Sequence, residues 1–125
     1  MARVVHFEIH ASDMDRAERF YTQVFGWEVQ RWEGPVDYRL VTTGPDDQRG
    51  IDGAIVERSG EIGGTAATAF VCTIQVESLD AILEGVPAAG GQLALDRMTV
   101  PGVGDVAYFK DTEGNTFGAL EPVGS

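Results

Sequence analysis

Val5-His6-Phe7-Glu8-Ile9-His10, then Ser12-Asp13-Met14-Asp15, then an apolar series at Met14, Ala17, Tyr21 and Val24, is the stretch that decides the fold. Strict alternation in the first segment reads as a strand with two unlike faces. Val5, Phe7 and Ile9 point one way; His6, Glu8 and His10 point the other. Ser12 or Asp13 can accept hydrogen bonds from the free amides of a first helical turn. Spacing of three and four residues from Met14 to Val24 gives one apolar helix stripe, and Gly26 suits the left-handed residue that ends it. A strand with an apolar face therefore runs into a helix that can cover that face.

The same pattern returns once. Aligning Met14 with Leu79 sets an offset of 65 residues and needs no gap. Ala17 then meets Ile82, Tyr21 meets Val86, Val24 meets Ala89, Gly26 meets Gly91, Asp46 meets Asp111, Gly53 meets Gly118 and Ile55 meets Leu120. The second strand, Val71 to Val76, has the same phase, with Cys72, Ile74 and Val76 as the apolar set. That phase makes Cys72 an inert thiol under the second helix. Pro87 falls inside the second helical pattern and should disturb its last turn. Three strands follow each helix, near 27–32, 37–43 and 50–57, then 92–97, 104–110 and 115–121. Turn chemistry joins them at Glu33-Gly34-Pro35, Thr43 to Asp47, and Asp111 to Asn115. The reading is α+β: two tandem β-α-β-β-β modules at about 3–57 and 68–122, with a Gly-rich linker at about 58–67, in one domain.

Composition bounds the function. The chain has 125 residues, 43% of them hydrophobic, enough for a core and against disorder. A formal net charge of −11 argues against nucleic acid or an anionic membrane as partner and would suit a cationic ligand. No apolar run approaches a membrane span, the N-terminus lacks the apolar core of a secretory signal, and Cys72 is the single cysteine. These features predict a cytoplasmic protein without disulfides.

Several segments together carry a resemblance. Asp13-Met14-Asp15-Arg16-Ala17, Phe20-Tyr21 with Val24-Phe25-Gly26-Trp27, Pro101-Gly102-Val103-Gly104, and Tyr108-Phe109 with Asp111, Gly114-Asn115 and Phe117-Gly118 resemble, in order, the glyoxalase/bleomycin-resistance/extradiol-dioxygenase superfamily of vicinal oxygen chelate proteins. The resemblance implies a mixed sheet cupped around a ligand, helices outside, and a homodimer. It puts His6, Glu8 and His10 on the cup side. Metal-dependent relatives set ligands at one point in the first and one in the last strand of each module. Those points fall here on His6, Val71, Gly53 and Gly118. Imidazole binds Zn, Ni, Fe or Mn; valine and glycine side chains do not. No cofactor is expected on that reading, and ordinary glyoxalase or dioxygenase chemistry is in doubt. Asp52, next to Gly53, should point to the opposite face. A displaced ion between His6, Glu8 and His10 is the alternative.

Three functions compete. The first is a metal-free, bleomycin-resistance-like protein holding a small organic ligand against His6, Glu8, His10, Trp27, Trp32, Tyr38, Tyr108 and Phe109. The second is a lyase or isomerase, with His6 and Glu8 as its acid–base pair or with a displaced metal. The third is an interaction subunit with a vestigial cup.

Overall fold

Alternation and helical spacing lead where the sequence points. The computed structural model describes residues 2–59 and 69–124, which contain eight strands and two helices. In chain order these are β1 Arg3–Ala11, α1 Met14–Phe25, β2 Glu28–Arg31, β3 Tyr38–Thr42 and β4 Gly53–Glu57, then β5 Phe70–Gln75, α2 Leu79–Ala88, β6 Gln92–Val100, β7 Gly104–Lys110 and β8 Thr116–Pro122. Almost all of the expected linker lies outside the described residues. The chain divides into two compact units, residues 6–71 and residues 1–5 with 72–125.

In the first unit the strand order is β2-β3-β4-β1, with β1 parallel to β4 and the other neighbours antiparallel. Asp13 caps α1, accepting the Arg16 amide at 3.0 Å, and Gly26 closes it in the left-handed region at φ 71°. Met14, Ala17 and Tyr21 lay the helix stripe on Phe7, Ile9, Ala11, Val41 and Ile55. Burying each large apolar side chain there contributes about 1.5–3 kcal/mol. Val24, expected in the stripe, is 56% exposed. The last turn of α1 instead carries Phe25, which stacks on Tyr21 and Trp27. Trp27, expected on the ligand wall, lies flat against Tyr21 at 5.2 Å beside this core.

Arg39 is the surprise of this unit. It is buried on the helix side of β3, where its guanidinium donates to Asp37, to Asp15 and to Glu18 at 2.9–3.0 Å. A buried charge survives only when it is paired in this way. The cluster ties β3 to the first two turns of α1.

In the second unit the order is β5-β8-β7-β6, again with one parallel pair, β5 with β8. Ser78 caps α2 through the Ala81 amide, and Glu121 of β8 accepts the Leu79 amide at 2.8 Å. Pro87 stays inside the helix, whose end tightens as the Ala89 and Gly90 amides reach the Val86 and Pro87 carbonyls, before the Gly91 amide turns back to Val86. Ile74 and Val76 lie under α2, but Cys72 is exposed. Parity is correct and coverage is not: the α2 contacts begin at Ile74, one strand step beyond Cys72.

The repeat contains a hidden slip. Ile9 pairs with Ile55 and Ile74 pairs with Ala119. Ile74 follows Ile9 by 65 residues, whereas Ala119 follows Ile55 by 64. The last strands are therefore offset by one residue from the ungapped alignment, and a one-residue slip exchanges the two faces of a strand. Gly53 sits opposite Phe7 on the helix side, where an added Cβ would come within 2.6 Å of the Phe7 ring. Gly118 sits opposite Thr73 and Tyr108 on the other side. The matched glycines are not structural equivalents.

Candidate functional site

On the face of the first unit turned away from α1, β1 presents His6, Glu8 and His10. The corrected register supplies their neighbours on β4. Glu8 pairs with Ala54 and His10 with Val56, so Asp52 falls on the His6 side, contrary to the sequence expectation. Ala54 is fully buried and small. Tyr38, at the start of β3, reaches across β4 above it.

The result is a three-member network. The Tyr38 hydroxyl donates to Glu8 Oε2 at 3.2 Å and lies 3.0 Å from His6 Nε2. A phenol has one proton. With that proton on the Glu8 bond, His6 must donate from Nε2, which leaves its lone pair on Nδ1. Burial holds the His6 imidazole below its ordinary value of 6.5, against the opposing pull of the Glu8 and Asp52 carboxylates. At neutral pH His6 is therefore an uncharged base. Burial, and then the Glu8 charge, pushes the Tyr38 phenol above its usual range, so it keeps its proton. Glu8 itself is buried, a carboxylate held by side-chain hydrogen bonding.

Trp32 stands at the rim of the network. Its ring is edge-on to Tyr38 at 6.2 Å and 41% exposed. The backbone of Gly34 makes room for it: a Cβ there would collide with the indole. His10 shares the face but has separate surroundings. Its carbonyl accepts from Arg58, and its Nδ1 is buried without a hydrogen-bond partner. Burial and Arg58 lower its pKa, with Glu8 acting against them.

The two candidates from the second unit part company. Tyr108 lies on the side away from α2, its ring against Gly118. Phe109 is fully buried on the α2 side, stacked on Phe117 at 5.5 Å. Adjacent strand residues face opposite ways, so the pair could not both line a pocket. Phe109 belongs to the core.

The donor positions decide whether an ion fits. His6 directs Nε2 to Tyr38, Asp52 Oδ1 accepts the Thr43 amide at 2.8 Å, and Ala54 offers no donor. Among the described residues no three His, Cys, Asp or Glu side chains gather closely enough to hold an ion.

Comparison with known proteins gives the family of the chain. Residues 3–44 match the family described as bleomycin resistance protein-like N-terminal. A glyoxylase-like domain-containing protein of Didymella fabae is 34% identical over 113 residues, 87% of this chain and 85% of its own. A probable lactoylglutathione lyase of Vibrio parahaemolyticus is 29% identical over 90% of this chain and 85% of its own. The fold matches that of a methylmalonyl-CoA epimerase from Mycobacterium tuberculosis, with a TM-score of 0.66 at 13% identity over 96% of this chain and 87% of that one. The chain belongs to the glyoxalase/bleomycin-resistance/dioxygenase superfamily of vicinal oxygen chelate proteins.

Proposed function

We propose that this protein binds a small organic molecule on the His6–Tyr38–Glu8 face of its first module, without a metal ion. The carrying observation is the network itself: the imidazole and carboxylate that would serve an ion are joined through a phenol. The donor set does not fit the ion used by metal-dependent relatives, and no step is assigned to one. The face offers acceptors, at Asp52 and the His6 lone pair, with the buried Glu8 charge behind them and the exposed indole of Trp32 beside them. That combination suits a planar ligand carrying N–H or O–H donors, neutral or cationic. The match to bleomycin resistance-like N-terminal sequence supports this reading.

The test is a fragment screen by thermal shift on chelator-treated protein, followed by titration. Planar amines and amidines are expected to bind, and Tyr38→Phe and His6→Ala should each weaken them about ten-fold, the effect of losing one hydrogen bond to a charged or buried group. Hits that need added metal, or that ignore both substitutions, contradict the proposal.

A second reading has one specific observation behind it. A neutral His6 with a free Nδ1 lone pair is equipped to take a proton from carbon next to a carbonyl. The lyase and epimerase relatives make this worth measuring. Incubation with methylmalonyl-CoA in D2O tests it: deuterium at C2, lost in His6→Ala, indicates proton abstraction by His6, and no exchange contradicts that role toward this substrate.

A further inference from the structure

A cavity lies in the first unit, beside the start of α1. Its volume is about 350 Å³, within the range that holds a small ligand. The floor is apolar, made by Ala11, Ala17 and the rings of Phe20 and Tyr21, which meet edge-to-face at 5.1 Å. Phe20 is 54% exposed, so its ring, edge-on to Tyr21, keeps a face open to a ligand. Two cations, Arg16 and Arg58, also line the cavity.

Arg58 is a preorganised group. One terminal nitrogen donates to Ser12 Oγ at 2.6 Å and the other to the His10 carbonyl at 2.8 Å. Its main-chain amide is bonded to Ala11, and its Nε is buried without a partner. Two N–H groups on the terminal nitrogens are left over from the five that a guanidinium carries. Fixing the side chain in advance removes much of the entropy that binding an anion would otherwise cost. Among the described residues the one acidic side chain in the lining, Asp13, is committed to the Arg16 amide and lies 3.9 Å from the Arg16 guanidinium. The described lining therefore carries a net positive charge, on a chain whose total is −11.

We propose that this cavity is a second ligand site, distinct from the His6–Tyr38–Glu8 face, and that it takes an organic carboxylate with a planar apolar body. The carboxylate meets Arg58 and Arg16; the body lies on Phe20 and Tyr21. Charge alone would favour any anion, and the aromatic floor narrows the class.

The test is a two-dimensional amide NMR titration of the full chain with benzoate, its neutral counterpart benzamide, and inorganic phosphate. Benzoate should move amides between Ser12 and Tyr21, and that of Arg58, in a saturable way. Benzamide and phosphate should each bind at least about ten-fold more weakly, since each lacks one of the two recognition elements. Arg58→Gln and Phe20→Ser should each weaken benzoate by a similar factor. Phe20 is at the surface, so its variant tests the site even where Arg58→Gln disturbs folding. Absence of saturable shifts, shifts centred on His6 and Tyr38, equal binding of benzamide or phosphate, or benzoate binding indifferent to Phe20→Ser would each overturn the proposal.

Discussion

At Tyr38 a single hydroxyl proton fixes the state of two other side chains. Tyr38→Phe leaves a buried carboxylate short of a donor, and denaturant unfolding should show a loss of about 1–3 kcal/mol. His6 ring resonances should titrate below 6.5 in the native protein, and the Nε2–H tautomer should dominate above that. The sign for stability follows. The unfolded chain binds a proton at His6 and His10 before the native one does, so their contribution is complete above 6.5 and declines as pH falls below it. Unfolding free energy at about pH 5.5 should be lower than at about pH 7.5, and His6→Gln should shrink the difference. The carboxylates of Asp13, Asp37 and Asp111, held down chiefly by hydrogen bonds, act in the same direction but in a separate window, below 3.8. His6 and Glu8 are legible in the sequence because alternation alone gives their face. The role of Tyr38 is not: sequence marks it as an aromatic wall, and nothing local says that its hydroxyl crosses β4 above an alanine.

Among the elements, the last strand of each module holds the least legible information. Gly53 and Gly118 align in sequence and invite one reading for both, yet the register puts them on opposite faces. Parallel pairing is set by contacts between β1 and β4 far apart in the chain, and a slip of one leaves the apolar pattern of a short strand almost unchanged. Substitution distinguishes the two sites. Gly53→Ala drives a methyl into Phe7 and its carbonyl, and should cost about 1–3 kcal/mol by overpacking. Gly118→Ala meets its nearest neighbours at 3.1–3.2 Å and should cost less. Both costs can be measured by denaturant unfolding. Arg39 is invisible in the sequence for a related reason: one arginine in a strand reads as a solvated residue until α1 brings Asp15 and Glu18 over it. Arg39→Ala takes the buried cation out of that group, leaving Arg31 at 3.9–4.0 Å from Asp37 and Asp15, and should destabilise by about 2–4 kcal/mol, less than a wholly buried pair because Asp15 and Glu18 reach solvent. Helices read well from sequence, since caps and stripes are local signals. Coverage reads less well, as exposed Val24 and Cys72 show.

For the whole molecule, the doubled module and the family are both readable from order and spacing, and the second module keeps its strands and helix despite Pro87. Among the described residues no helix is long and apolar enough to cross a membrane. Chemistry is harder to read than fold. Projecting the family's ion positions through an ungapped alignment sets Asp52 on the wrong face; with its register corrected, the donors still bond to the protein itself. The decisive measurement is elemental mass spectrometry of untagged protein purified without chelators, alongside His6→Ala. No transition metal in stoichiometric amount is expected in either protein, with ligand binding unchanged by chelator. A transition metal near one per chain, lost in His6→Ala, would mean that the His6–Tyr38–Glu8 face is a metal centre after all.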